Sequence, residues 1–332
     1  MLGARNRLKK AFEERRDQGV DGGRLLYVYG CAAHYLNLVE KEVSPRTVLS
    51  KVVEVRKYFR NHHLPQAWLR EKGGLSPQIP NDTRWNSQEA CIDTFLKNYQ
   101  KYFEITCEHP DDIDKNILST VRNASIQMET MNLIQQLKLV SVALNTFQSD
   151  HCNLGESVKV WLDLQEAPVL EPFQELIKKR FEQCVTPIHF VAYQAHPKYK
   201  GKKLSIDQEN EATAWLSSIN EDFVAPLMAL SIEDETAYPK SMLAVKVTET
   251  FSPSKWWKLM EVKAEKLNSL VTPQCCKFMQ EISSLPASSA SVERIFSTFG
   301  QVHTKLRNRL GNEKTAKLVR CNRMFKGEPP DW

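Results

Sequence analysis

From residue 85 to about residue 181 the chain passes from one helical periodicity to the next with almost no strand signal between them. In the blocks ACIDTFLKNYQKYF, METMNLIQQLKLVSVALNTFQ and SVKVWLDLQEAP, apolar residues return at intervals of three and four, which lines them up along helix faces. Alternation at an interval of two, the mark of a half-buried strand, is missing. The stretch therefore predicts an all-α block, and any sheet has to be built elsewhere. Residues 187–202 (PIHFVAYQAHPKYKGK) break the pattern, and helical stretches resume around 212–215 and 255–268.

The flanks read differently. Residues 4–16 suggest a charged helix carrying Leu8 and Phe12, followed by a turn with Gly19, Gly22 and Gly23. Residues 25–29 (LLYVY) are a short continuous apolar run, as expected of a buried strand, and Gly30 ends it. A helix then starts near Cys31, so this is a strand-turn-helix unit. Ser44 and Pro45 offer an N-cap and a first-position proline for a helix carrying Val48, Leu49, Val52, Val53 and Phe59. Residues 72–82 (KGGLSPQIPND) form the best candidate boundary. At the other end, residues 285–291 can cap a helix with Val292, Ile295, Phe296 and Phe299 on one face, stopped by Gly300. That stripe is expected to be core, as are Trp256 and Trp257. A last helix is expected over 312–324, with Ala316, Val319 and Met324 opposite its basic residues.

Composition excludes some classes. The chain has 332 residues, 42% of them hydrophobic and 26% charged, which suits a globular fold. No apolar run approaches the roughly 18 residues that span a bilayer. The first residues, MLGARNRLKKAFEERR, lack the apolar centre of a secretory signal, so an intracellular protein is expected. The eight cysteines follow no framework spacing and include no CxxC pair, which argues for thiols and against a zinc finger. The net charge of +5 is mild, but between 303 and 326 eight Lys or Arg residues face a single acid, Glu313. Such a segment suits a polyanion or an acidic partner; a solvated helix face gives the same pattern.

Three patterns, in this order, resemble the hAT family of DNA transposases. They are Cys31, His34, Asn37 and Leu38 after the apolar run; DTRWNS at 82–87; and LPASSASVERIFSTFGQVHTKLRNRL at 285–310. The last is long and specific, and it is similar to the family's C-terminal dimerisation signature. The Trp256-Trp257 pair and the HPKYKG stretch also fit, so the resemblance covers about residues 1–325. It implies an α/β but mostly helical fold: a partial ribonuclease-H-like core over 1–80, an all-α insertion over 83–280, and a core helix with the dimerisation region over 281–332.

The resemblance also implies a chemistry. Family members are understood to hold a divalent metal, usually Mg²⁺, on three carboxylates for phosphodiester cleavage and strand transfer, because hard cations take oxygen ligands. Glu293 matches the third carboxylate. As a bare residue it is a first-turn glutamate favoured by the helix dipole. The first two carboxylates fall at or before Met1, and Asp17 and Asp21 lie in a loop that does not substitute for them. The chain is therefore expected to need no cofactor and not to cleave, with Mg²⁺ belonging to an intact enzyme if core residues lie upstream. Cys31 and His34 are too few for a structural zinc site, so Cys31 is expected to pack in the core with His34 hydrogen-bonded nearby.

Arg84 and Trp85 match a family position that contacts transposon-end DNA, where an indole stacks on a base and a guanidinium holds phosphate. A core tryptophan beside a helix start is the plainer alternative. Lys305, Arg307 and Arg309 stand in the C-terminal stretch and either touch DNA or flank a dimer interface. The expectation is a nuclear, transposase-derived homodimer that binds DNA without sequence preference and touches no membrane. The alternatives are a truncated form of an active transposase and a helical scaffold for other proteins.

Overall fold

The computed structural model describes residues 26–44, 46–80, 87–266, 270–302 and 311–325, together with Arg7, Lys10, Ala11 and Glu14; at 46, 323 and 325 it describes the backbone alone. Helices make up most of it, and no strand forms among the described residues. The nearest thing to a ladder is an isolated antiparallel bridge between Asn153 and Pro286. The mostly helical expectation holds, and its strand does not. Residues 26–30 form no regular element and no ladder with any other described residue. A strand needs a neighbour to take its N–H and C=O groups; here side chains hold the segment instead. Tyr27 meets the Trp215 ring at 6.5 Å, and Tyr29 meets the edge of His189 at 5.4 Å. Gly30 runs so close to Cys184 that a Cβ would lie 3.0 Å from the Cys184 carbonyl oxygen.

The first layer contains α1 (Ala32–Val43), α2 (Arg46–Asn61), α3 (His63–Glu71), α4 (Ser87–Glu108), α5 (Lys115–Val121) and α6 (Ala124–Gln148). Side-chain caps set two starts: Asp114 accepts the Asn116 N–H at 2.8 Å for α5, and Asn123 accepts the Ser125 N–H at 2.9 Å for α6. Ser44 corrects the expected N-cap. Its backbone N–H closes α1 on the Glu40 carbonyl at 3.2 Å, and its buried hydroxyl finds no partner among the described residues. The Gly/Pro stretch after α3 is no loose tether in its described part. The Asn98 amide takes both the N–H and the C=O of Leu75, each at 2.8 Å, and pins the crossing to α4.

The second layer runs α7 (Leu154–Glu166), α8 (Gln174–Cys184), α9 (Pro187–Gln194), α10 (Ile206–Ile219), α11 (Val224–Ser231), α12 (Lys240–Leu243), α13 (Val245–Thr250), α14 (Pro253–Ala264) and α15 (Pro273–Ser284). Pro187 occupies the first turn of α9 beside a reciprocal Thr186–His189 cap, so the stretch expected to break the helical run begins a helix. Helices α7 and α9 touch backbone to backbone, since a Cβ on Gly155 would lie 2.7 Å from the Ala192 carbonyl oxygen. The paired tryptophans of α14 are core as expected. Both are fully buried, Trp256 donating to the Met242 carbonyl at 2.9 Å and Trp257 to the Ala195 carbonyl at 2.8 Å.

Two buried histidines belong to this layer. His189 accepts the Thr186 N–H on Nδ1 at 3.2 Å, which leaves Nε2 with the proton, and His196 accepts the Lys198 N–H at 3.2 Å. Burial holds each at a pKa of about 3. One contiguous apolar cluster extends from Ala32 to Ala287. Beyond it lie α16 (Ala290–Val302) and α17 (Asn312–Phe325), where Ala290 and Val319 are buried outside that cluster.

Candidate functional site

The segment 285–289 is a junction. Its backbone binds three elements: Ala32 N–H donates to the Ala287 carbonyl at 3.0 Å, Ala287 N–H to the Cys152 carbonyl at 2.9 Å, and Leu154 N–H to the Leu285 carbonyl at 3.1 Å. The Tyr29 hydroxyl donates to the Pro286 carbonyl at 3.1 Å, and the Ser288 hydroxyl to the Phe147 carbonyl at 2.6 Å. The starts of α1 and α7 and the end of α6 thus converge on the entrance to α16. The first and third sequence motifs, far apart in the chain, meet here.

Ser289 links them. Its hydroxyl lies 2.7 Å from Glu293 Oε1 and 3.5 Å from Cys31 Sγ. A carboxylate only accepts, so the serine proton goes to Glu293 and the Cys31 thiol is the weak donor to serine. Cys31 is half-buried at the N-cap of α1 and makes no side-chain cap. His34 makes an edge contact with Tyr35 at 5.9 Å, and no hydrogen bond to its ring is found among the described residues, contrary to the expectation. Asn37 follows on the same helical face, half-buried.

Glu293 is exposed in the first turn of α16. One of its oxygens already takes the Ser289 proton, and its neighbours are a hydroxyl and a thiol. Mg²⁺ prefers several carboxylate and water oxygens in an octahedron, so this donor set does not fit it. Among the described residues no three His, Cys, Asp or Glu side chains come together in a way that could hold a metal ion. The next residue has a clear structural task. Arg294 donates to the Gln148 carbonyl at 2.9 Å and pairs with Asp150, fastening α16 to the end of α6.

Past this anchor, α16 and α17 pack on each other and enclose an apolar groove of about 430 Å³. It is lined by Ile295 and Phe299 from one helix and Ala316 and Val319 from the other, with Glu313, Lys317 and Arg320 at its rim. The expected core stripe of α16 is split. Ile295 and Phe299 are half-buried against α17, whereas Val292 and Phe296 are exposed, Phe296 at 69%. Phe296 is therefore not core among the described residues, none of which forms an element that covers its side of α16. Met324 is likewise exposed, and α17 buries Thr315 and Val319 instead. Gly300 does not stop α16, which continues to Val302; a helical glycine costs only about 1 kcal/mol.

Lys314 and Arg320 are exposed on α17, while Lys317 pairs with Glu313 at 2.8 Å. The remaining sequence candidates, Arg84, Trp85, Lys305, Arg307 and Arg309, lie outside the described residues. Sequence reading missed the Arg294 anchor. Its signal, an arginine one turn inside a helix beside an exposed apolar stripe, is too common to stand out.

Residues 234–325 match the family model described as the hAT family C-terminal dimerisation region. No curated protein matches the chain.

Proposed function

Taking as premise that residues 234–325 carry the C-terminal dimerisation region of the hAT family, we propose that the chain works as a transposase-derived homodimer that holds DNA by its backbone and does not cut it. The observation that carries this reading is the exposed Val292 and Phe296 beside the open α16–α17 groove, all within the matched region. An apolar ridge next to an apolar trough on one surface suits a second copy, because a two-fold contact needs a surface that complements itself. The ribonuclease-H-like ancestry of 1–80, the division at 83–280 and 281–332, and a nuclear location are parts of the same proposal. They rest on the order of the motifs.

DNA binding is supported by the basic excess over 303–326, of which Lys314 and Arg320 are exposed on α17. Arg84 and Trp85 at the start of the helical block, with Lys305, Arg307 and Arg309, are proposed as further contacts. Cleavage is not assigned, since Glu293 is one carboxylate and a two-metal displacement needs several. No helix among the described residues is long and apolar enough to cross a membrane.

Two readouts test this. Light scattering at micromolar concentration should give an even multiple of the chain mass, and a monomer would overturn the dimer. Fluorescence anisotropy with duplexes of unrelated sequence should give similar, weak affinities that fall steeply with salt. Lys314→Glu with Arg320→Glu should lower the salt slope by about 2. Strong selectivity for one duplex, or no binding at low salt, would overturn the DNA reading.

A further inference from the structure

Helix α6 has 25 residues and is apolar on more than its inward face. Met128, Met131, Leu139 and Val142 are exposed at 65%, 50%, 39% and 65%. At 100° per residue they fall within one stripe about 80° wide whose centre is Gln135, also exposed. The spacing along the stripe is 3, 4, 4, 3, which reads the same from either end. A helix meeting itself antiparallel across a two-fold axis demands that pattern, because each position faces its mirror in the count. With the axis at Gln135, Met128 lies opposite Val142 of the second copy, Met131 opposite Leu139, and Gln135 opposite itself.

The polar groups agree with that pairing. On the axis a residue faces its own kind, and a charge there would repel. A glutamine amide carries both donor and acceptor and pairs with itself. The stripe holds no charge, and Lys138 on its flank is engaged 3.6 Å from Asp93 of α4.

We propose that this stripe is a self-association surface, distinct from the C-terminal dimerisation region, through which α6 packs antiparallel on α6 of a second copy. Four apolar side chains per copy are far fewer than the roughly 20–30 residues a side of a standalone interface. The contact therefore joins chains that are already paired elsewhere, where each dimer presents two stripes and binding is multivalent. Arg294 anchors α16 at the far end of α6 from the axis, about 20 Å from Gln135, so the two surfaces use different axes. A chain with two different two-fold contacts assembles into tetramers or larger even-numbered species.

The inference rests on the proposed C-terminal dimer only for the size of the assembly, and one set of variants separates the two. Native mass is measured over a concentration series for wild type, Met131→Asp with Val142→Asp, Phe296→Asp, and the triple variant. The expected outcome is a wild-type tetramer or larger, a dimer when the α6 stripe is disrupted, and a monomer for Phe296→Asp and for the triple variant, because the α6 contact alone is too small to hold a pair. A wild-type mass unchanged by the α6 substitutions overturns the inference and leaves the C-terminal dimer standing. A mass unchanged by Phe296→Asp does the reverse.

Cysteine crosslinking fixes the geometry. With Cys31, Cys107 and Cys321 replaced by serine, Gln135→Cys should form a disulfide-linked pair under oxidised glutathione, since a disulfide needs Cα atoms within about 7 Å. Met128→Cys alone should not, because its own copy lies about 21 Å away along the axis, but it should link to Val142→Cys in a mixture. Failure of Gln135→Cys to link, or equal linking by Met128→Cys alone, overturns the antiparallel pairing.

Discussion

Phe296→Ala should weaken self-association of the chain by two to three orders of magnitude while leaving each protomer folded. In the single chain the Phe296 ring is 69% exposed, so folding gains little from it. Fully covering a phenylalanine is worth about 2–3 kcal/mol, and the exposed two-thirds of this ring leaves about 1.7 kcal/mol to be gained at the contact. A two-fold contact uses the residue twice, which doubles the loss to about 3.4 kcal/mol, or roughly 300-fold in Kd. Sedimentation equilibrium in the α6-disrupted background gives the dimer constant directly, and thermal unfolding at low concentration gives the protomer. A change in Kd below about 5-fold would refute the placement of Phe296 in the contact. A large drop in monomer Tm would refute its exposure.

Other substitutions address the protomer. His189 and His196 are held neutral at about 3, whereas in the unfolded chain each titrates near 6.5. Stability should therefore be flat with respect to these groups above about pH 6.5. It should fall on acidification towards pH 3 by about 1.4 kcal/mol per unit for each. Urea midpoints measured from pH 7.5 to 4.5 check the slope, and His189→Phe should make it shallower. Gly155→Ala drives a Cβ to 2.7 Å from the Ala192 carbonyl oxygen and should cost about 1–3 kcal/mol by chemical denaturation; a neutral result would show that α7 and α9 are not in backbone contact. Arg294→Met removes both bonds to the end of α6 and should speed hydrogen exchange across α16 more than across α14. Equal protection of the two helices would deny Arg294 its anchoring role.

Much of the helical architecture was legible because its signals are local. The blocks at 90–103 and 128–148 fall within α4 and α6, the block at 157–168 overruns the end of α7 by two residues, and the last helix was placed to within a residue. What failed depended on partners. An apolar run of five residues cannot announce whether a second strand lies beside it, and residues 26–29 have none among the described residues. Pro187 reads as a break only if its side of the turn is unknown; at the first helical position it is a start. The stripe of Val292, Ile295, Phe296 and Phe299 shows a face and not its cover, and here one face is divided between α17 and open surface. For the site, the long C-terminal motif was plain in the sequence. The serine that joins Glu293 to Cys31 was not, because the bond spans 258 positions.

That separation has a temporal side. The Tyr29 hydroxyl bonds a carbonyl 257 residues downstream, and the starts of α1 and α7 take their partners from the same late segment. At synthesis rates of about 5–20 residues per second, some 13–50 s pass between the appearance of Tyr29 and that of Pro286. Through that interval the early helices must wait with open ends, and the groove-bearing pair emerges only after the junction that seats it. A nascent chain thus cannot meet its twin through a finished C-terminal surface until its own first layer has been closed.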